Sequence, residues 1–353
     1  MKYIINGAFY AEPMMGVQRY AAEIVKQWDK FLAKQPRWDI SLEIVLPQDV
    51  KNIKQIKNSF SNIVVSQYGK HKGKRWEQID YAKYLKKNHA KQISLCNTVP
   101  LFSKGGIVCV HDIAFRSHPE FFTQPGDWHE ILFRKMMYRH AFANADAIIT
   151  VSEFSKHEIM NYYPVRKDKI CVAGNAWQHY DKADIDESIL KKYSQIKKGE
   201  YYYYLASLAP NKNLGWIVQN AKKNPDSLYV LSGRLLGDDS GVLNQPNVLY
   251  TGFVTDAQAK ALMLHCKAFL FPSFYEGFGI PPMEALCMGA KIVLGDIESL
   301  REIYGDSAYY IDCRNPDCNL DELLKKAGQT SPQEVLQRYS WEKSAQKIWN
   351  LLK

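Results

Sequence analysis

Two glutamates, Glu276 and Glu284, are separated by seven residues in a stretch whose composition predicts a ligand site. The apolar run Ala268–Phe271 predicts a buried strand, and Pro281 at the start of the next apolar run predicts a helix. The turn between them, Gly277–Gly279, therefore offers backbone N–H groups and the positive end of a helix dipole to an anion. The two carboxylates suit hydroxyl groups, which donate hydrogen bonds to them. From residue types alone, a tight turn with two solvated glutamates is an equal alternative.

This stretch resembles the E-x7-E signature of the retaining glycosyltransferases with two Rossmann-like domains, in particular their large family 4, the group 1 glycosyltransferases. Pro272-Ser273 before the signature and Gly289 after it belong to the likeness. The resemblance implies that Glu276 and the amides of the turn face the donor sugar and its phosphate. It also implies that Glu284 binds the ribose hydroxyls of the nucleotide. The donor-binding residues that it assigns here are Gly277, Phe278, Gly279, Ile280 and Glu284.

Length and composition predict a soluble protein of about two domains. The chain has 353 residues, of which 46% are hydrophobic and 24% charged. No stretch approaches the ~18 uninterrupted apolar residues that cross a membrane, and Met1–Gly7 predicts a strand and a turn rather than a signal peptide. The seven cysteines are scattered singly, which favours reduced thiols in the cytosol, and Cys313 and Cys318 have no partners for a zinc site. We therefore expect a cytoplasmic protein without a bound metal.

The net charge of +9 favours an anionic partner. The sequence contains no nucleic-acid-binding module, so phosphorylated ligands and anionic lipid are the candidates. The segment Lys51–Lys91 has eleven lysines and arginines against Glu77 and Asp80. It is either a solvated helix face or a surface that rests on the inner face of the membrane or grips a lipid-linked acceptor. The triplet Trp76-Glu77-Gln78 resembles a feature of relatives that act on polysaccharide acceptors, which makes Trp76 an acceptor-side candidate.

The first domain begins with the strand Lys2–Asn6 and a helix after Gly16, whose apolar residues Ala21, Ile24, Val25 and Trp28 share one face. A glycine at a helix entry after the first strand is where a doubly wound fold places a ligand loop, although most such glycines only turn the chain. In the family that the chain resembles, this loop lies near the phosphates and the acceptor. The resemblance therefore assigns Gly16 to the donor and Arg19 to the acceptor side.

His111 and Asp112 follow a predicted buried strand, Gly106–Val110, at the edge where parallel sheets bind ligands. A lone histidine is more often a core residue, but the resemblance implies that His111 contacts the donor sugar in catalysis. Asp112 is an acceptor-side residue that orients the loop. The remaining first-domain predictions are strands at Ser41–Leu46, Asn62–Val65, Ala147–Val151 and Lys169–Val172, a helix capped by Ser152 that runs through Met160, and a polar linker at 174–198. Asp184-x-Asp186 in that linker follows no strand, so we do not interpret it as a metal motif.

The second domain begins with Tyr201–Leu205, whose tyrosines predict packing rather than chemistry. Lys212 precedes a helix, where its charge and the helix dipole suit a diphosphate. The resembled family has an arginine where this chain has Ser207, and Arg234 is a candidate to replace that cation. In relatives, the end of the strand that begins at Val248 lies beside the nucleotide base. This assigns Phe253 and Val254 to the donor.

The alternating strands and helices predict an α/β fold, and the resemblance implies two Rossmann-like domains facing each other across a cleft. By the same resemblance, the first domain, residues 1–175, holds the acceptor and is rejoined by a C-terminal helix at about 340–353. The second domain, residues 176–339, holds the donor. The resemblance implies a retaining, metal-independent transfer of a hexose-type sugar from a GDP-, UDP- or dTDP-sugar, without a cofactor. In the resembled family, the donor phosphate itself assists deprotonation of the acceptor hydroxyl. The acceptor would be a glycan or a lipid-linked oligosaccharide in surface polysaccharide synthesis.

Two other functions remain open at this point. A nucleotide-sugar epimerase or a sugar phosphorylase would use the same fold, the first without an acceptor and the second with free phosphate. A non-catalytic protein that binds a glycan or nucleotide is the third class, and the presence of Glu276, Glu284 and Lys212 argues against it.

Overall fold

The chain folds into two units in the computed structural model, which describes all residues except 36, 38, 102, 125, 182–183, 206–208, 234–244, 327–330 and 353. Unit 1 comprises Met1–Asn175 together with Trp341–Lys353, and unit 2 comprises Ala176–Ser340. Each unit is built on one parallel sheet with helices packed against it. The predicted α/β class with two Rossmann-like domains is confirmed.

The sheet of unit 1 is formed by short apolar strands, as expected when both faces of a parallel sheet are buried. They are β1 (Lys2–Asn6), β2 (Ser41–Leu46), β3 (Val64–Gln67), β4 (Lys91–Ser94), β5 (Ile107–Cys109), β6 (Ala147–Thr150) and β7 (Ile170–Val172). Within the described residues, their order in the sheet is β3-β2-β1-β4-β5-β6-β7, and neighbouring strands pair in parallel. The order of the strands reverses between β1 and β4. That reversal is the point at which doubly wound sheets hold their ligands.

The helices of unit 1 connect these strands. They are α1 (Gly16–Lys34), α2 (Ile53–Asn58), α3 (Gly73–Arg75), α4 (Ala82–Lys87), α5 (Ala114–Ser117), α6 (Asp127–Asn144) and α7 (Glu153–Tyr162), and a π-helical stretch, Trp76–Tyr81, joins α3 to α4. The predicted apolar face of α1 is buried against the core. Ser152 caps α7 as predicted, because its hydroxyl accepts a hydrogen bond of 3.0 Å from the Ser155 amide.

The third strand lies two residues later than the sequence pattern predicted. Asn62 and Ile63 belong to the turn before β3, where both backbone amides donate to one carboxylate oxygen of Asp29 on α1, at 2.8 and 3.0 Å. Amides engaged with a side chain are not available to a sheet ladder. The strand therefore begins at Val64, where the register with β2 starts.

The sheet of unit 2 has strands β8 (Tyr201–Leu205), β9 (Leu228–Ser232), β10 (Val248–Gly252), β11 (Ala268–Phe271), β12 (Ile292–Gly295) and β13 (Tyr309–Ile311). Over the described residues their order is β10-β9-β8-β11-β12-β13, so the order reverses between β8 and β11. The four tyrosines of β8 are all buried, which agrees with a packing role. The Tyr201 hydroxyl donates to the Leu262 carbonyl at 2.8 Å, which satisfies one of the polar groups buried with them.

Unit 2 contains eight α-helices among the residues described: α8 (Gln178–Asp181), α9 (Ser188–Lys192), α10 (Leu214–Lys223), α11 (Asp256–His265), α12 (Ile280–Cys287), α13 (Glu298–Tyr304), α14 (Leu320–Leu323) and α15 (Pro332–Arg338). The prediction of a polar linker at 174–198 is wrong. That segment forms α8 and α9, and its apolar residues Tyr180, Ile189 and Ile196 are buried. Three apolar side chains spaced widely among polar ones carry too little periodicity to predict short helices.

Neither a bilayer-spanning helix nor a metal-ligand cluster is present in the described ranges. In that part of the chain, no helix is long and apolar enough to cross a bilayer. No group of three or more His, Cys, Asp or Glu residues is placed there to hold a metal ion. Asp186 instead accepts a hydrogen bond from the Ser188 amide at the start of α9, at 2.9 Å. All seven cysteines are free thiols.

The last helix, α16 (Trp341–Trp349), belongs to unit 1 and packs against α1. The Trp28 indole donates to the Ala345 carbonyl at 3.1 Å, and the Trp341 ring contacts Tyr20 edge-on, with the ring centroids 5.9 Å apart. Ser344 donates to the Gly174 carbonyl at 2.7 Å. The chain thus returns to its first unit, as the sequence predicted.

We predict that Trp341→Ala destabilises unit 1. The side chain is fully buried against α1, and truncating such a tryptophan costs about 3–5 kcal/mol of unfolding free energy. Urea unfolding followed by near-ultraviolet circular dichroism measures the loss. The exposed neighbour Glu342, changed to alanine, is the control. Equal unfolding midpoints for the two variants would contradict the packing role of α16.

Candidate active site

Unit 2 places two predicted site residues at the reversal of its strand order. Strands β8 and β11 pair in parallel, with Ala268 opposite Tyr202, so their carboxyl ends lie at the same edge of the sheet. Lys212 lies in the loop after β8, and Glu276 lies in the loop after β11. Ligands of doubly wound sheets bind at this edge, outside the carboxyl ends of the strands that flank the reversal.

Hydrogen bonds join the two loops to each other. The Phe274 amide donates to the Asn211 carbonyl at 2.8 Å, and the Asn211 side chain donates to the Tyr275 carbonyl at 3.1 Å. Asn213 adopts a left-handed backbone with φ of +56°, and its side chain donates to the Pro272 carbonyl at 3.0 Å. Asparagine tolerates this conformation better than most residues. The sequence reasoning missed both asparagines, although an asparagine on each side of Lys212 was the available signal.

Lys212 and Glu276 form a close ion pair as a result. The Lys212 Nζ lies 2.6 Å from Glu276 Oε1, and both side chains are mostly buried. The same ammonium group lies 5.2 Å from the centroid of the Phe271 ring, a cation–π contact. The structure thus brings together a cation suited to a phosphate and a carboxylate suited to sugar hydroxyls, at the edge of the sheet where a ligand is expected.

The turn after Glu276 is fixed by a glycine that no other residue can replace without strain. Gly279 has φ of +81°, and an added Cβ would lie only 2.9 Å from the Leu300 side chain. Its carbonyl accepts a hydrogen bond from the buried Tyr304 hydroxyl. The Phe278 side chain is buried and meets Tyr339 edge-on, at 5.1 Å between ring centroids. Phe278 therefore offers a ligand its backbone and not its ring.

Glu284 lies about one turn into α12, which begins at Ile280. Its Oε1 is 2.9 Å from Nε2 of His179 on α8. The His179 side chain is only 3% exposed and that of Glu284 is 14% exposed. The sequence analysis did not identify His179, because it lies in the segment that was interpreted as a linker. Its spacing from Glu284 along the chain gave no signal that the two side chains meet.

Phe253 and Val254 follow β10, an outer strand of the sheet. The Phe253 side chain is 72% exposed, whereas Val254 is buried. An exposed aromatic ring at the carboxyl end of a strand offers a flat apolar surface of the kind on which a nucleotide base stacks. Arg234, the candidate cation for the phosphates, and Ser207, which stands where the resembled family has an arginine, both lie outside the described residues. Their roles stay predictions.

In unit 1, His111 follows β5 and is buried. Its ring Nε2 lies 3.0 Å from the Leu95 carbonyl, which can only accept, so Nε2 carries the hydrogen. Burial lowers the pKa of the imidazole, which keeps the ring neutral at pH 7. The ring meets Tyr20 edge-on at 4.8 Å. In this tautomer Nδ1 can accept a hydrogen bond from a hydroxyl group.

The other unit 1 candidates differ in what their side chains can contact. Gly16 is the first residue of α1, and Arg19 lies in its first turn. Asp112 accepts a hydrogen bond of 3.1 Å from the Ala114 amide and so holds the start of α5, in agreement with a loop-orienting role. Trp76 is fully buried, and its indole donates to the Tyr68 carbonyl at 2.7 Å. Its ring packs the core of unit 1, so the interpretation of Trp76 as an acceptor contact is not supported by its position.

The residue after Trp76 is a buried carboxylate at the strand reversal of unit 1. Glu77 Oε1 accepts hydrogen bonds from Asn6, at the end of β1, and from Thr98, in the loop after β4, both at 2.6 Å. Glu77 lies in the π-helical stretch, a distortion that is frequent at functional sites. Burial raises its pKa to about 7, and the hydrogen bonds from Thr98 and Asn6 offset only part of this effect.

The chain is similar in sequence and fold to known glycosyltransferases. Residues 186–334 match the family described as Glycosyl transferases group 1. O-antigen chain mannosyltransferase B of Escherichia coli is 26% identical over 302 residues, which cover 79% of this chain and 76% of that protein. The serotype-specific mannosyltransferase WbdA of Escherichia coli is 29% identical over 218 residues, which cover 56% of this chain but only 26% of that protein.

Among solved structures, Anabaena HepE in complex with UDP and glucose has a similar fold. The TM-score is 0.68, with 16% identity, and the match covers 99% of this chain and 98% of that one. At this identity the likeness concerns the fold alone. It extends over both units.

We predict that Glu77 makes the stability of unit 1 fall as the pH rises. Its raised pKa means that between pH 4.5 and about 7 the folded state retains a proton that the unfolded state has lost. The stabilisation is complete below pH 4.5 and is lost by about pH 7. It amounts to about 3 kcal/mol, at about 1.4 kcal/mol per pKa unit.

Urea unfolding of the wild type and of Glu77→Gln across this pH range measures the effect. The variant keeps an oxygen for Asn6 and Thr98 but cannot ionise, so the wild type should lose stability relative to it as the pH rises. A difference between the two proteins that does not vary with pH would contradict the raised pKa.

Proposed function

We propose, from the premise that this chain is a glycosyltransferase of group 1, that it transfers a mannosyl residue from a nucleotide sugar to a glycan or lipid-linked acceptor. The Lys212–Glu276 pair at the strand reversal of unit 2 carries the proposal. The two Escherichia coli relatives are named as mannosyltransferases, one of them of the O-antigen chain, which supports mannose and surface polysaccharide synthesis. The proposed site of action is the cytoplasmic face of the membrane.

The proposed reaction retains the configuration at the anomeric carbon. The bond between this carbon and the diphosphate oxygen breaks, and the bonding pair leaves with the diphosphate. The acceptor oxygen bonds to the carbon on the same face, and its proton passes to the departing phosphate. Lys212 and the amides of Gly277–Gly279 stabilise the charge that develops on the diphosphate. No metal is required in this proposal, because these groups supply the positive charge.

Glu276 has a different task in this proposal. Its carboxylate accepts hydrogen bonds from sugar hydroxyls and so orients the anomeric carbon toward the acceptor. In unit 1, neutral His111 suits a hydroxyl group of a substrate through Nδ1. Both groups bind substrate, and neither is proposed as a nucleophile.

We predict that Glu276→Ala lowers sugar release from the donor by about 100-fold or more, the usual effect of removing one preorganised polar contact at a reacting centre.

Lys212→Ala should chiefly weaken nucleoside diphosphate binding, by about tenfold. The assay measures hydrolysis and binding of GDP-mannose, and of other GDP-, UDP- and dTDP-sugars, with and without EDTA. Lys267→Ala is the matched control, because Lys267 pairs with Asp321 before β11 begins, at the opposite edge of the sheet.

Near-normal turnover in Glu276→Ala would overturn the site assignment. Product analysis separates the alternatives of the same fold: an epimerase would yield a new nucleotide sugar, and a phosphorylase would require free phosphate. The anomeric configuration of the product, read by NMR, tests retention.

We also propose an anionic phospholipid bilayer as a partner of unit 1. Three exposed apolar side chains, Trp128, Leu132 and Met136, are spaced four residues apart along α6, with exposures of 62%, 51% and 49%. Residues four apart share one helix face, so these form an apolar stripe. Patches of this kind on a protein surface usually meet a partner.

Charge complementarity supports lipid as that partner. The Lys74 ammonium contacts Glu130 of α6 and lies 5.7 Å from the centroid of the Phe133 ring, which brings the segment 70–75 beside the helix. That segment contributes four exposed cations: Lys70, Lys72, Lys74 and Arg75. Each cation near an anionic bilayer adds about 1 kcal/mol of attraction. This surface combines α6 with only a part of the segment Lys51–Lys91 that the sequence suggested, since Trp76, Tyr81 and Leu85 of that segment are buried.

We predict that the purified protein sediments with vesicles that contain about 30% phosphatidylglycerol and not with pure phosphatidylcholine vesicles. The double variant Trp128→Ser, Leu132→Ser should lose most of this binding. Val64→Ser, at another exposed apolar residue of unit 1, is the control. Absence of vesicle binding by the wild type would refute the proposal, as would self-association of the wild type that the double variant abolishes.

A further inference from the structure

We infer that His179 is a positioning residue of the nucleotide site. It fixes the Glu284 carboxylate in the orientation in which that group accepts hydrogen bonds from the ribose hydroxyls. This inference rests on the proposed function and extends it with the assignment of Glu284 to the ribose hydroxyls, which the resemblance implies. His179 lies on α8, far from Glu284 in the sequence. Its role implies that the site prefers nucleotides that have the ribose hydroxyls over those that lack them.

The geometry of the pair supports this role. The contact of 2.9 Å between Nε2 and Oε1 is a hydrogen-bond distance, and an ionised carboxylate only accepts, so Nε2 must donate. The His179 ring is almost completely buried, whereas Glu284 keeps some exposure. The imidazole therefore approaches the carboxylate from inside the unit. A ligand can approach it from outside.

The chemistry of a carboxylate leaves room for a ribose. Its two oxygens offer about four acceptor positions, and His179 uses one of them. Two neighbouring hydroxyls, such as O2′ and O3′ of a ribose, can then donate to the remaining positions. A free glutamate on a helix rotates about three single bonds, and a hydrogen bond to a fixed ring removes most of this freedom before the ligand arrives.

The segment that carries His179 is held in place by its neighbours and not by the bond to Glu284. The Trp177 indole donates to the Leu336 carbonyl at 2.9 Å, and the Gln178 amide donates to the Tyr339 carbonyl at 3.1 Å. The Tyr180 side chain is buried. Because α8 has these other attachments, the His179–Glu284 bond is not required to dock the helix. The bond instead orients the Glu284 carboxylate, as a residue that hydrogen-bonds to a metal ligand orients that ligand.

The test compares nucleotides that have and lack the ribose hydroxyls. Calorimetry measures the Kd of GDP and UDP, each beside its 2′,3′-dideoxy analogue, for the wild type, His179→Phe and His179→Gln. The phenylalanine keeps the ring and removes the donor, so binding of the preferred ribonucleotide should weaken about tenfold. Binding of its dideoxy analogue should stay within about twofold. Glutamine retains an N–H donor and should recover most of the preference.

Kinetics gives a second readout. If His179 acts on the bound nucleotide, His179→Phe should raise the KM for the nucleotide sugar about tenfold and leave kcat within about twofold. The matched control is His265→Phe. His265 makes a similar contact with Glu187, at 2.6 Å, in the same unit, and its loss should not alter nucleotide binding.

Glu284→Gln distinguishes the two ways in which the inference can fail. If this variant keeps the full preference for ribose, the assignment of Glu284 to the ribose hydroxyls is wrong and the inference falls with it. If it loses the preference while His179→Phe keeps it, only the role of His179 is refuted. If His179→Phe weakens binding of the ribonucleotide and of its dideoxy analogue equally, the role of His179 is purely structural and the inference is refuted. Should that variant fail to fold, His179→Asn, whose shorter amide withdraws from Oε1, is measured in the same way.

Discussion

The loops after β8 and β11 are joined by hydrogen bonds, and the candidate donor site depends on that connection. The two strands are neighbours, but the chain leaves them toward opposite sides of the sheet, since the strand order reverses between them. Without the bonds from Asn211 and Asn213 across to the other loop, nothing in the sheet itself would hold Lys212 within 2.6 Å of Glu276. The Pro272 and Tyr275 carbonyls that accept from these side chains belong to the loop that carries Glu276. The distance between the two charges is therefore set by hydrogen bonds between the loops and not by the charges alone.

Burial then decides what each carboxylate can do. Glu276 and Glu284 each have a nitrogen donor at hydrogen-bond distance, and both retain some exposure to a ligand. Glu77, at the strand reversal of unit 1, accepts hydrogen bonds from the neutral side chains of Asn6 and Thr98, and burial raises its pKa. A carboxylate that is partly exposed suits a ligand that donates hydrogen bonds, whereas burial favours the protonated form of a carboxyl group such as Glu77. The strand reversal therefore carries partly exposed carboxylates in unit 2 and a buried carboxyl group with a raised pKa in unit 1.

The sequence predicted the elements better than it predicted their contacts. Apolar runs such as Ala268–Phe271 and the periodicity of α1 identify strands and helices. A helix or a strand repeats regularly, so the residues on its buried face recur at a fixed spacing in the sequence. Two errors have different causes: the start of β3 is set by the Asp29 carboxylate of α1, and α8 was missed because its buried residues are few. His179 and the two asparagines around Lys212 act through contacts between distant segments, and a single sequence has no period that reveals such contacts. The resemblance to group 1 glycosyltransferases, which the comparisons confirm, located the glutamates but not the residues that hold them.

Transferase, epimerase and phosphorylase chemistry would all begin in unit 2 with the same event. In each, the sugar separates from a phosphate, so Lys212 and the glycine turn would serve each equally well. The reactions differ in what the anomeric carbon meets next: an acceptor hydroxyl, a group of the same nucleotide sugar, or free phosphate. A phosphorylase would therefore need a second cluster of cations or amides for the free phosphate, because Lys212 and the glycine turn already serve the phosphate that departs from the sugar.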